Sequence, residues 1–160
     1  MRVLIVEDGE EYSSTLSRFL AGFTLVRAGD GHEALDRLAA EHYDVVFLDM
    51  RFDRVPASRL IGDMAAAEDR CNGDRERATR FLEDNQGAYV LAAVRAAGHV
   101  IPVVFSYDFD HEPRRWKNLE QRFAPLGYLN SNAGPDQIRA ALEEAARRRL
   151  GNPGAPEHQG

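Results

Sequence analysis

The chain has 160 residues, 44% apolar and 29% charged, which is the make-up of one folded domain with a real core and not of a disordered chain. Its 26 acidic and 20 basic residues leave a net charge of −6, and the excess sits in residues 1–50, which hold ten acids and four bases. This balance argues against a nucleic-acid footprint, no apolar run is long enough to span a membrane, and the single Cys71 excludes an intramolecular disulfide and a multi-cysteine zinc site. Met1 runs straight into Val3-Leu4-Ile5-Val6, so no secretory leader is expected and the expected compartment is the cytoplasm.

Val3–Val6 is a β-branched and aliphatic run, the signature of a strand buried on both faces. Tyr12, Leu16, Phe19 and Leu20 then recur at helical spacing. Phe23–Val26 predicts a second strand. Asp30 and Glu33 have the spacing of a helix cap, followed by an apolar stripe of Ala34, Leu35 and Leu38. Val45–Leu48 predicts a third strand that ends at Asp49, and Val100–Phe105 a fourth. Pro113–Phe123 reads as a helix with proline in its first turn, Gly127–Leu129 as a fifth strand, and Pro135–Leu150 as a last helix. Residues 151–160 are rich in Gly and Pro and are expected to form a flexible tail.

Short buried strands alternating with amphipathic helices predict a parallel α/β sheet, and function in such sheets gathers where the strands end. Glu7 and Asp8 follow strand one, Asp49 follows strand three, and Ser106 follows strand four, with Asp108 and Asp110 beyond it. Crowded carboxylates repel one another unless a cation joins them. Oxygen ligands without His or Cys suit Mg²⁺. A carboxylate beside such a metal can attack phosphorus and form an aspartyl phosphate, and a hydroxyl such as that of Ser106 can donate to a phosphoryl oxygen.

These residues resemble the receiver domain of two-component response regulators. The resemblance rests on Val3-Leu4-Ile5-Val6-Glu7-Asp8, Ala28 through Leu35, Asp44-Val45-Val46-Phe47-Leu48-Asp49, Gly87 to Arg95, Ile101 through Ser106, and Gly127-Tyr128-Leu129. It implies a five-stranded doubly wound parallel sheet of flavodoxin-like type over residues 1–150. By position it also implies that Glu7 and Asp8 hold Mg²⁺ and that Asp49 is the phosphoacceptor. The backbone carbonyl of Arg51 would complete the metal site, Ser106 would be the switch hydroxyl, and Tyr128 the switch aromatic. A histidine kinase or phosphotransfer protein would supply the phosphoryl group. A downstream protein, or a second copy in a homodimer, would read the face built from helix four, strand five and helix five. Because the chain ends soon after its last helix, a stand-alone regulator without a nucleic-acid-binding or enzymatic output is expected. Its own phosphorylation and dephosphorylation would be its only chemistry.

Two departures stand out. Receiver domains place a lysine three residues after the switch aromatic, usually followed by proline; here those residues are Ser131 and Asn132. Nineteen of the twenty bases are Arg, the one lysine is Lys117, and no base lies between Arg122 and Arg139, so an arginine swap does not explain the loss. The missing contact is a hydrogen bond to a charged group, worth roughly 1.5–3 kcal/mol. Arg51, Arg54 or the Arg114–Arg115 pair are candidate substitutes. The second departure is an insert over residues 51–86, far longer than an ordinary connection and therefore expected to carry structure. Leu60, Ile61, Met64 and Ala65 predict a helix over Ser58–Cys71 with Ser58 as N-cap, and Ala78, Phe81 and Leu82 predict another over Asp74–Asp84. The insert should form a helical arm at the phosphoacceptor edge, serving as lid, dimer contact or partner surface.

Plainer roles stand beside these. Glu7-Asp8 suits a helix start, Ser106 a strand-end turn, and Tyr128 rim packing. Asp108 through Glu112 reads as a solvated loop more readily than as a second metal site. His32, His42 and His99 fit surface positions, Cys71 a packed thiol, and Arg147–Arg149 a dipole-friendly helix end. Two other functions remain open: an interaction module that is not switched by phosphate, and a phosphohydrolase with Asp49 as nucleophile. The second resembles haloacid dehalogenase-like enzymes, yet their second Asp would fall at Arg51.

Overall fold

The computed structural model describes residues 1–150, so the expected tail at 151–160 lies outside the described residues. Five parallel strands, β1 (Arg2–Val6), β2 (Thr24–Ala28), β3 (Val45–Asp49), β4 (Val103–Ser106) and β5 (Leu126–Leu129), form one sheet in the order β2-β1-β3-β4-β5. The order reverses between β1 and β3, the kind of switch point at which open α/β sheets place their sites. Alternation along the strands builds two apolar layers. Val3, Ile5, Val45, Phe47 and Val104 meet Leu16 of α1 (Glu11–Phe19) and Ile138 and Leu142 of α7 (Pro135–Leu150). Leu4, Val6, Val46, Leu48, Val103 and Phe105 face α2 (Gly31–Ala40), α5 (Gln86–Ala96) and α6 (Pro113–Phe123).

The Asp30 cap is made as expected: its Oδ1 accepts the Glu33 N–H at 2.8 Å, and Glu33 Oε2 accepts the Gly29 N–H at 2.9 Å. The fourth strand starts later than expected. Val100 is 70% exposed, Pro102 has no N–H to give a ladder, and Arg95 Nη1 ties down the carbonyls of His99 and Ile101. Pairing begins at Val103.

Residues 51–86 do form helices, with one correction. Ser58 caps nothing; it lies in a short 3₁₀ turn at Ala57–Arg59. The backbone is extended at Leu60 and turns at Gly62, whose φ of +137° ends any helix there. The helix α3 covers only Met64–Arg70, with Asp63 as its cap, and α4 covers Arg75–Asp84, with Asp74 as its cap. Leu60, Ala67, Ala78 and Leu82 make a small core of their own. That core is joined to the sheet side by Val55, by Ile61 against Gly31, and by the buried Gln86. Gln86 Oε1 accepts the Ile61 N–H at 2.7 Å, and its Nε2 donates to the Ile61 and Leu82 carbonyls at 2.9 and 3.2 Å. Gly87 lets α5 close onto the end of β3: a Cβ there would meet the Asp49 carbonyl oxygen at 2.4 Å.

Candidate functional site

Strand register brings the expected residues to one corner. Asp49 ends β3 and is the register partner of Ser106, which ends β4. Glu7 and Asp8 follow β1 on the other side of β3. Glu7 is buried, and its two carboxylate oxygens accept the backbone N–H groups of Tyr12 (3.0 Å) and Ser13 (2.9 Å). It thus caps the first turn of α1, where a negative charge also suits the dipole. Asp8 is half-buried, and its Oδ2 accepts the Arg54 N–H at 2.9 Å. The Arg54 side chain reaches across Gly9 to Glu11 at 2.6 Å, so the insert begins by crossing the acidic pair.

Asp49 Oδ1 accepts the N–H of its neighbour Met50 at 2.8 Å. Burial pushes its carboxyl up to about 6; the Met50 and Arg51 N–H groups oppose that rise, and the charges of Asp8 and Glu7 add to it. No cationic side chain among the described residues pairs with Asp49. Arg51 is engaged with Asp84 (3.1 Å) and Asp53 (3.6 Å), and Arg54 with Glu11. Arg115 Nη2 donates to Asn85 at 2.7 Å, and its Nη1 ion-pairs with Glu112 at 3.3 Å. Ser131 is exposed in the turn after β5. There Asn130 Oδ1 accepts the Asn132 N–H at 2.9 Å, and Asn130 Nδ2 donates to Asp108 at 3.4 Å.

Among the described residues no three His, Cys, Asp or Glu side chains converge as a metal-ligand group. Each Glu7 oxygen accepts one N–H and keeps a lone pair, so the oxygen donors at the corner are Glu7, Asp8, whose Oδ1 makes no hydrogen bond among the described residues, Asp49, and carbonyl oxygens of the turn that holds Arg51. That oxygen set fits a cation that takes one or two carboxylates and fills its shell with water, the habit of Mg²⁺.

Tyr128 packs against Trp116 and Phe109, with ring centroids 4.7 and 5.3 Å apart, and its hydroxyl donates to Asp110 at 2.7 Å. Asp108 accepts from the Asp110 N–H and from Asn130, Asp110 from the Tyr128 hydroxyl of β5, and Glu112 from Tyr107, so the stretch serves as a hydrogen-bonded loop. Tyr12, expected only as part of an apolar stripe, belongs to the site. Its ring stands edge-on to Phe47 at 5.0 Å, and its hydroxyl hydrogen-bonds Ser106 Oγ. Burial raises its phenol pKa; the Ser106 hydrogen bond offsets part of this, and the charges of Asp49, Glu7 and Glu11 reinforce it. The signal in the sequence was position: Tyr12 lies in the first turn of the helix that Glu7 caps.

Known structures share this arrangement of strands and helices. The receiver domain of Francisella response regulator 1452 matches with a TM-score of 0.63 at 17% identity, covering 92% of this chain and 98% of that one. The fold is that of a receiver domain. A two-component response regulator from Clostridium difficile matches with a TM-score of 0.62 at 16% identity, covering 93% of this chain and 98% of that one. Chemotaxis protein CheY4 of Vibrio cholerae matches at 0.58 and 20% identity, covering 90% and 97%. No protein-family model and no curated protein matches the chain in sequence. Among the described residues no helix of this receiver fold is long and apolar enough to cross a membrane.

Proposed function

We propose that this receiver fold accepts a phosphoryl group on Asp49 and signals the change through a protein-binding face. The observation that supports the reading is the corner itself: a half-buried Asp at the end of β3, with carboxylates from β1 on one side and a hydroxyl from β4 on the other. An Asp49 oxygen attacks phosphorus. The bond from phosphorus to a histidine nitrogen of a kinase or phosphotransfer protein breaks, and its electron pair stays on nitrogen. Glu7, Asp8, Asp49 and the Arg51 carbonyl would hold Mg²⁺, which when bound offsets the negative charge gathering at the corner. Ser106 donates to a phosphoryl oxygen. Tyr128 carries the change to the surface of α6, β5 and α7, where a downstream protein or a second copy docks; the insert offers a second surface.

A second reading is favoured by one observation: no cationic side chain among the described residues pairs with Asp49, and Ser131 stands where a lysine is expected. On that reading the chain is an interaction module that phosphate does not switch. Intact mass after incubation with Mg²⁺ and acetyl phosphate separates the two. An adduct on the parent that is missing from Asp49→Asn supports phosphoryl acceptance. No adduct, together with partner binding unchanged in Asp49→Ala, supports the unswitched module.

A further inference from the structure

Phe47, Asp49 and Ser106 lie on one face of the sheet, because Phe47 is two residues before Asp49 and Ser106 is its register partner. Tyr12 enters that face from α1, its ring fixed by Phe47 and its hydroxyl bonded to Ser106 Oγ. Phenylalanine would pack on Phe47 as well as tyrosine does, so the hydroxyl is not explained by the core. Neither hydroxyl has another hydrogen-bond partner among the described residues. A hydroxyl pair shares one hydrogen along its common line, and the second hydrogen is left to donate elsewhere. Asp49, the register partner of Ser106, ends the neighbouring strand on this same face, and no cationic side chain among the described residues pairs with it.

We propose that Tyr12 and Ser106 form a two-hydroxyl clamp that donates hydrogen bonds to the phosphoryl oxygens carried by Asp49, in place of the cation that strand five does not supply. The proposal rests on the reading of Asp49 as phosphoacceptor. An arriving phosphoryl group presents three acceptor oxygens, and hydrogen bonds to a charged acceptor are roughly twice as strong as neutral ones, so the pair trades its mutual bond for two better ones. No proton moves in the step. With acetyl phosphate as donor, an Asp49 oxygen bonds to phosphorus, the phosphorus–acetate oxygen bond breaks, and acetate leaves with the electron pair.

The test uses the parent, Tyr12→Phe, Ser106→Ala and the double variant. Adduct formation from acetyl phosphate is followed by intact mass, and affinities for Mg²⁺ and for beryllofluoride, a phosphoryl mimic, are read by calorimetry. Tyr12→Phe is expected to slow adduct formation and weaken beryllofluoride binding by roughly tenfold to a hundredfold. The loss should appear in both the parent and the Ser106→Ala backgrounds, with Mg²⁺ affinity unchanged. Labelling of Tyr12→Phe at the parent's rate overturns the clamp and leaves Asp49 standing. So does a Tyr12 effect that vanishes without Ser106, which would make Tyr12 only a positioning residue, or a parallel loss of Mg²⁺ affinity, which would mean a site-wide disturbance. A parent that takes no phosphoryl group and binds no beryllofluoride removes the Asp49 reading, and the clamp with it.

Discussion

The three central strands alternate their side chains between two apolar layers, whereas residues 51–86 bury few apolar side chains and are fastened at their edges by polar contacts. In the sheet, Phe47, Leu48, Val104 and Phe105 are enclosed on all sides. In the insert, Leu60, Ala67, Ala78 and Leu82 form a thin core, and Gln86, the Arg59–Asp30 pair and the Arg54 N–H on Asp8 tie it down. Apolar burial scales with area, while exposed ion pairs contribute about 0–1 kcal/mol. The sheet is therefore the cooperative unit. The insert, set directly beside Asp8, is expected to open as a local unit at lower free energy.

The largest test strikes the sheet. Phe47→Ala should cost about 3–5 kcal/mol and lower the urea midpoint of the whole chain. It also removes the ring that supports Tyr12. Leu82→Ala should cost about 2–5 kcal/mol, but its effect should be confined to the insert. Hydrogen exchange should show amides of α3 and α4 losing protection while those of β1, β3 and β4 keep theirs. Equal loss in both sets would make sheet and insert one unit and break the contrast. Gln86→Ala leaves the Ile61 N–H and carbonyl without their partner and should cost about 1–3 kcal/mol, again read in insert amides.

The smallest effect is electrostatic. Asp30 is partly buried, which raises its pKa, but the Arg59 hydrogen bond, the Glu33 N–H and the Arg59 charge outweigh this and hold it below its ordinary 3.8. A carboxyl depressed in the folded state stabilises above its unfolded pKa and loses that contribution as pH falls through the folded value. Asp30→Asn keeps a capping oxygen and drops the charge. It should therefore be less stable than the parent above pH 3.8, by about 1 kcal/mol or less, and the gap should close below that pH. Urea midpoints of both chains across that range check it.

Much of this was legible in the residues. Val3–Val6 and Val45–Leu48 announce buried strands, and carboxylates placed just past two of them announce a site at the sheet's edge. The helix expected at Ser58 failed because Leu60 and Ile61 fit a helical spacing equally well when their burial is supplied by other elements. Ile61 meets Gly31, its backbone is held by Gln86, and Gly62 makes the turn. Strand four was set too early because Val100 and Ile101 are β-formers by type, while pairing depends on a neighbour's free ladder groups. Tyr12 looked like one more residue of an apolar stripe.

The sequence alone determined the alternation of strands and helices, the carboxylates at the ends of β1 and β3, the hydroxyl at the end of β4, and the absence of a cation near Ser131. These are properties of residue type and spacing, and spacing is local. Only the tertiary structure decided what each of these groups meets. It sets both oxygens of Glu7 on the first turn of α1, lays Arg54 over Asp8, draws Arg115 to Asn85, and brings the Tyr12 hydroxyl to Ser106. Each is a contact between elements separate in the chain, so its geometry exists only once the sheet has set the register and the helices have packed on its faces.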